Sequence, residues 1–256
     1  MKPLLALLLL LPTAVLGQLL EEDYKLLGVA VRTRPAYDGS QSQRTDLVPV
    51  VRYYGQPLFA RTTQGILEGG LRWNLGSGFA AGLQLSYDEE RDTSESAFLR
   101  EHNFTADIDP GVSYGAHVEW DTKFGPAPFG VLLRYRQSTD SDRGALADLR
   151  LNLGVYGSGG ATVVLFTEAT WGSSKSNGTY YGVTPEQSAA SGFAAYQPGS
   201  GLRHVALGVI GGYDLSRHWT LVASVQQRWL QGDVAQSPLA DCRQNTYANA
   251  GVAYRF

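Results

Sequence analysis

The chain has 256 residues, a formal net charge of −3, 43% hydrophobic and only 18% charged residues, yet 30 Gly, 14 Tyr and 5 Trp. So few charges beside so many aromatics exclude a disordered chain, and an acidic balance without Lys/Arg blocks excludes the basic face that a nucleic-acid partner requires. A single Cys excludes an intramolecular disulfide and a Cys-based zinc site.

The chain opens with Met1-Lys2-Pro3, an almost unbroken Leu run from Leu4 to Leu11, and small residues in Ala14-Val15-Leu16-Gly17. This pattern predicts a secretory signal peptide over residues 1–17, cut near Gly17/Gln18. The apolar run is too short for the ~20 residues of a spanning helix. No Cys follows the cut, so lipidation there is not expected.

Beyond Gly17 the pattern is apolar, then polar or small, over segments broken by Gly, Asp, Asn, Ser and Pro, with no sustained helical period. Twelve strands are predicted, at about 24–32, 46–54, 57–62, 65–75, 78–88, 111–120, 128–136, 146–157, 161–172, 202–214, 218–230 and 245–256. One face is apolar in mid-strand, as in Leu67, Leu71, Trp73; Leu83, Leu85, Tyr87; Leu149, Leu151, Leu153, Val155; and Val205, Leu207, Val209. The other carries Glu68, Arg72, Gln84, His117, Glu119, Arg134, Arg136, Arg150, Glu168, His204, Gln226, Arg228 and Arg255, mixed with glycines.

A soluble sandwich buries its apolar face, whereas an outer-membrane barrel turns that face to lipid and its polar face to a lumen. Three features favour the barrel. Trp73, Tyr87, Trp120, Tyr135, Trp171, Tyr213, Trp219, Trp229 and Tyr254 sit at the ends of the apolar runs, as interfacial girdles do. After the leader the only lysines are Lys25, Lys123 and Lys175, unlike a soluble surface. The connections alternate: short at Gly55-Gln56, Gly76 to Gly78, Asp121 to Ala127, Gly157 to Gly160 and Asp214 to Arg217, and mostly longer at about 33–45, 89–110, 137–145, 173–201 and 231–244. The fold predicted for residues 18–256 is therefore one all-β domain, a closed antiparallel transmembrane barrel of about twelve strands embedded in outer-membrane lipid, with short periplasmic turns and long extracellular loops.

Inside a barrel of that size, Arg72, Glu119, Arg134, Arg150, Glu168, Arg228 and Arg255 are the candidate lumen residues. Buried charges must be paired, so a structural ion-pair ladder is the favoured reading, and a polar pore the alternative. The 173–201 loop, with Tyr180, Tyr181, Phe193 and Tyr196, is either a plug or an exposed loop. No catalytic site, cofactor or metal is expected: no G-x-S-x-G, H-E-x-x-H or EF-hand pattern occurs. His117 and His204 read as lumen residues and His218 as a partner of Trp219 at a turn. His102, near Asp92, Glu101, Asp107 and Asp109, reads as part of a solvated loop, with a cation site as the minor alternative.

Several stretches resemble the MipA/OmpV family of outer-membrane proteins: Gly28 to Ser40, Leu47 to Tyr53, Leu85 to Asp92, Asp214 to Trp219, Leu230 to Leu239 and the terminal Tyr254-Arg255-Phe256. The most specific runs from Tyr180 to Gly192 and holds Tyr181, Gly182, Thr184, Pro185, Ser188, Ser191 and Gly192 as a loop motif, with Tyr196 and Gly199 to Leu202 after it. Cys242 departs from the family pattern. The resemblance implies a scaffold that connects murein-remodelling enzymes, a lytic transglycosylase and a peptidoglycan synthase, to the outer membrane; a narrow channel for small solutes or antibiotics and a surface adhesin are the alternatives. The turn at 121–128 and the segment Gln18 to Lys25 are the expected contact surface.

Overall fold

The computed structural model describes residues 25–63 and 65–256; the leader read over 1–17, and most of the segment Gln18 to Lys25, lie outside the described residues. The strands are β1 (Leu26–Pro35), β2 (Gln43–Tyr54), β3 (Leu58–Thr63), β4 (Ile66–Gly76), β5 (Phe79–Asp88), β6 (Gly111–Phe124), β7 (Ala127–Ser138), β8 (Ala145–Ser158), β9 (Ala161–Gly172), β10 (Gly201–Asp214), β11 (Trp219–Leu230) and β12 (Gln244–Arg255). Each pairs antiparallel with its sequence neighbour, and β12 returns to β1 along a ladder from Leu26↔Arg255 to Thr33↔Ala248. No edge is left open, as hydrocarbon demands of a sheet that crosses it.

Alternation decides the two faces. Leu47, Leu83 and Leu85 point outward with 73%, 56% and 59% exposure, whereas Glu68 and Arg134, pointing inward, are 2% and 1% exposed. An apolar exterior around a charged interior suits lipid and would be penalised in water by about 25 cal/mol per Å². Exposed Trp73, Trp120, Tyr213, Trp219 and Tyr254 lie towards one end of the strands, and Tyr87, Tyr135 and Trp171 towards the other. At Gly159-Gly160 both residues have positive φ, which suits the right-handed twist of a two-residue hairpin turn.

Several boundaries differ from the sequence expectation. The β6/β7 ladder continues to Phe124↔Ala127, so the turn expected over 121–127 shrinks to Gly125-Pro126. β1 extends to Pro35, and the first outer loop is 36–42 rather than 33–45. In β8 the register shifts between Gly154 and Tyr156, so Val155 is the extra residue and Tyr156, 38% exposed, takes the outward place opposite Val163.

The outer loops add local structure that the absence of a sustained helical period did not signal. Short helices occupy the outer loops: α1 (Ala97–Glu101), α2 (Ser174–Tyr181) and α3 (Pro185–Ser191). They are too brief to show a 3.6-residue period, yet their caps are local. Ser96, Ser173 and Thr184 each accept from a backbone N–H of the first turn, and Thr184 with Gln187 forms a capping box ahead of Pro185. Gly192 closes α3 in the left-handed region, at φ 76°.

Candidate functional site

The barrel interior has three storeys: a lid over the extracellular mouth, a charge lattice at mid-height, and a chamber in the periplasmic half.

The lid is a small hydrophobic core built by four loops. Ala36 and Tyr37 come from the first loop, Leu99 and Phe104 from 89–110, Val183 and Phe193 from 173–200, and Leu239 from 231–243. The Tyr37 hydroxyl donates to Leu239 O at 2.8 Å, and burial pushes its pKa up. Val183 and Tyr196 form a two-way backbone bridge. The 173–200 connection is thus folded onto the mouth, and the exposed-loop alternative does not hold for it.

The loop-motif residues build this segment. Tyr181 ends α2, is 2% exposed, and lies 5.5 Å from the Arg203 guanidinium, with its carbonyl accepting from Ser237 Oγ. Gly182 caps α2, and Thr184 and Pro185 start α3. Ser188 Oγ donates to Phe193 O at 2.6 Å, Ser191 Oγ donates to Gln187 O at 2.7 Å, and Gly192 turns the chain back. Each acts on its own backbone or on the lid.

His102, weighed above as a cation ligand, stacks on Phe193 at 4.4 Å, and its Nδ1 lies 2.9 Å from Phe98 O. Asp107 instead accepts from the backbone and hydroxyl of Thr93, which lower its pKa. Among the described residues no cluster of His, Cys, Asp or Glu could hold a metal. Cys242 is free and half-buried, its Sγ 3.2 Å from Gln244 O.

Below the lid, the lattice ties seven strands from β3 to β9. Glu68 accepts from Arg61 Nε at 2.5 Å, Arg134 Nη1 at 2.9 Å and Gln84 Nε2 at 3.0 Å. Glu119 accepts from Arg72 Nε at 2.8 Å and also from Arg61. Asp148 gathers Arg134 at 3.0 Å, Arg136 at 3.2 Å and the Thr170 hydroxyl at 2.8 Å. His117 fills the space left by Gly82, where a Cβ would run into the imidazole, and its Nδ1 lies 2.6 Å from Gln84 Oε1.

A second group joins β10, β11 and β12 to the first loop, which leaves the neighbouring strand β1. Asp38 accepts from Arg228 Nη1 at 2.6 Å and from the Tyr247 hydroxyl, and His204 lies between Asp38 (3.9 Å) and Glu168 (4.0 Å). Burial alone would raise the Asp38 pKa; Arg228, His204 and the Tyr247 hydroxyl together outweigh it and hold the carboxyl down at about 2. A third group pairs Arg32 and Arg34 with Asp46, and Arg34 and Arg44 with Glu90 of the 89–110 loop.

Of the candidate lumen residues, Arg72, Glu119, Arg134, Arg150 and Glu168 are buried inside the barrel, and Arg228 is tied to the first loop. Arg255, on the same face as buried Ala253, sits at the periplasmic rim, bonded to Asp214 Oδ2 at 3.1 Å and to Arg217 O. His218, read as a partner of Trp219, stacks instead on Tyr254 at 5.5 Å. Sequence reasoning missed Arg61, Asp148 and Asp38 as hubs. Arg61 and Asp148 were signalled by alternation, since Asp148 lies two residues from Arg150, whereas Asp38 carried no local signal.

The third storey was not anticipated. Inward-facing Val48, Val50, Leu132, Val164, Phe166, Ile210 and Val222 line a cavity of about 280 Å³ in the periplasmic half, bounded above by Arg61, Arg72 and Arg150. Inward residues of this lower half, such as Asn152, Ile210, Val222 and Asn249, are partly exposed, while those of the lattice are buried. Water thus reaches the chamber from the periplasmic rim.

A closed twelve-stranded barrel, apolar outside, charged inside and lidded above, defines the class: an outer-membrane β-barrel. Solved structures share that fold. The chain matches the NanC porin (TM-score 0.51, 12% identity, 90% of this chain and all of that one) and LpxR from Salmonella typhimurium (TM-score 0.50, 9% identity, 90% and 100%). The sequence model described as MltA-interacting protein MipA matches residues 27–256, and the chain belongs to that family. It is 26% identical over 218 residues, 82% of this chain and 81% of the relative, to the MltA-interacting protein of Escherichia coli (strain K12), and equally to that of Shigella flexneri.

Proposed function

We propose that this protein is a non-catalytic scaffold, exported by its signal peptide, that seats a lytic transglycosylase, and with it a peptidoglycan synthase, against the inner face of the outer membrane. The observation that carries the reading is a lumen closed twice, by the lid core around Leu99 and Leu239 and by the buried lattice around Glu68 and Arg134. A tube so filled is built for rigidity, and its free surface toward the cell wall is the periplasmic rim. The names of the family's relatives point to the same partner. A catalytic reading finds little support in the histidines: His102, His117 and His218 are engaged by a carbonyl, an amide and a tyrosine ring. His204 lies buried at about 4 Å from the carboxylates of Asp38 and Glu168, with no hydroxyl or thiol nucleophile bonded to it among the described residues.

The rim itself imposes a constraint. Turns at 77–78, 125–126 and 159–160 are too short to supply the ~1,200 Å² of a stable interface alone. The 121–128 segment contributes strand ends rather than the projecting turn expected of it. The interface in this reading therefore combines the rim, including 215–218, with residues 18–25 leading into β1.

The test is capture. The barrel immobilised in lipid nanodiscs should retain the lytic transglycosylase from a periplasmic extract, and removal of residues 18–24 should weaken retention. An intact, folded barrel that retains none of the enzyme contradicts the scaffold reading.

A further inference from the structure

The scaffold reading assigns the periplasmic chamber no task, and its walls divide by chemistry. Val48, Val50, Leu132, Val164, Ile210 and Val222 form an apolar wall, while Arg61 and Arg150 stand where the chamber ends against the lattice. Both arginines are buried, at 7% and 4% exposure. Among the described residues, Arg61 Nη2 and Arg150 Nη1 have no hydrogen-bond partner. Arg150 Nη1 is ion-paired with Glu168 Oε2 at 3.7 Å, a separation beyond hydrogen-bond length that leaves its N–H unmet. Arg150 is nevertheless fixed in place, with its guanidinium 3.8 Å from the Phe166 ring centroid and its Nε donating to Asn152 Oδ1 at 2.9 Å.

Buried donors are almost always satisfied, by protein, water or ligand, because an unmet one is costly. Two guanidinium groups at the end of one cavity, each with a donor left unmet, are chemically suited to an oxyanion, which arginine binds in preference to any neutral acceptor. The Glu119 carboxylate at the same end is already held by Arg61 and Arg72. An anion alone would leave the valine wall facing water. A molecule with an anionic head and an aliphatic body satisfies both surfaces. At roughly 30 Å³ per water-sized group, 280 Å³ holds about nine or ten such atoms, just below the ~300–1,000 Å³ range of small-molecule sites.

We propose that the chamber binds a small aliphatic carboxylate, its head against Arg61 and Arg150 and its chain along the valine wall, entering from the periplasm. The proposal rests on the chamber alone and stands or falls separately from the scaffold reading. Octanoate has the size and chemistry required. Titration calorimetry on the barrel in nanodiscs, with empty nanodiscs subtracted, should show saturable one-to-one binding of octanoate. Acetate, which has the head alone, and octyltrimethylammonium, which has the chain with opposite charge, should give none.

Two variants probe the two surfaces: R150Q removes the donor, and V222F fills the chamber from below without touching the lattice. Heat-modifiable gel migration reports whether each is folded. R150Q should weaken octanoate at least ten-fold, and V222F should abolish saturable binding; either folded variant is sufficient to decide. Octanoate signal no greater than that of empty discs, equal binding of octyltrimethylammonium, or wild-type affinity in a folded variant would overturn the proposal.

Discussion

Asp38, on the loop that leaves β1, and Arg228, near the top of β11, meet at 2.6 Å over the intervening strand β12, whose Tyr247 hydroxyl completes the carboxylate's shell. Residues 190 positions apart are thereby locked, and the first loop is pulled into the mouth under the lid. Removing one partner of such a buried pair leaves the other uncompensated, at about 3–5 kcal/mol. Asp38→Asn should lower barrel stability by that order in urea, read from the gel-mobility difference between folded and unfolded forms; an unchanged midpoint would show that the pair does not anchor the loop.

The same carboxyl carries a pH dependence. Its pKa in the folded protein, about 2, lies below the ordinary value of 3.8, so its contribution is complete above pH ~4 and is lost as pH falls from there through about 2. The depression corresponds to about 2 kcal/mol. Urea midpoints should therefore drop between pH 4 and 2 more in the wild type than in Asp38→Asn; parallel pH curves would contradict the assignment.

Lipid and lumen faces predict unequal responses to one and the same change. Leu83→Arg places a charge on the outward face, where a midplane arginine costs about 2–4 kcal/mol. Ser224→Arg, on the partly exposed chamber wall, should cost less than about 1 kcal/mol. Folding titrations into lipid vesicles compare the two, and equal losses would reverse the face assignment.

The lid should fail independently of the barrel. Leu99 and Leu239 are fully buried in its core, and truncating a buried Leu to Ala costs about 2–5 kcal/mol. Leu99→Ala should open the 89–110 and 173–200 loops to protease added outside intact cells, while the strands remain protected and heat-modifiable. Loops as resistant as wild type would mean that the hydrophobic core is not what holds them.

How far this architecture is readable from sequence depends on whether neighbouring residues contrast. Leu83-Gln84-Leu85-Ser86 assigns its own faces, and so do the strands bearing Arg134, Arg150 and Glu168. Leu47-Val48-Pro49-Val50-Val51 and Val163-Val164-Leu165-Phe166 are apolar on both sides, because one side meets lipid and the other lines the chamber, so the chamber leaves no alternating trace. The lid shows the second kind of blindness. Its core draws Tyr37, Leu99, Phe193 and Leu239 from four loops, each too poor in apolar residues to announce a packed element. The contact of Asp38 with Arg228 exists only once β11 and β12 have closed onto β1. What local chemistry does reveal is the start and stop of each piece, from Gly159-Gly160 to the Thr184 and Pro185 cap.

The claim that the lumen is a braced interior and not a conduit is tested most directly by single-channel recording of the purified barrel in a planar bilayer. The lid and the Glu68–Arg134 lattice predict a silent membrane, and silence should persist when the 173–200 loop is shortened, because the lattice lies beneath it. Steady, reproducible conductance steps from the wild-type protein would contradict the account.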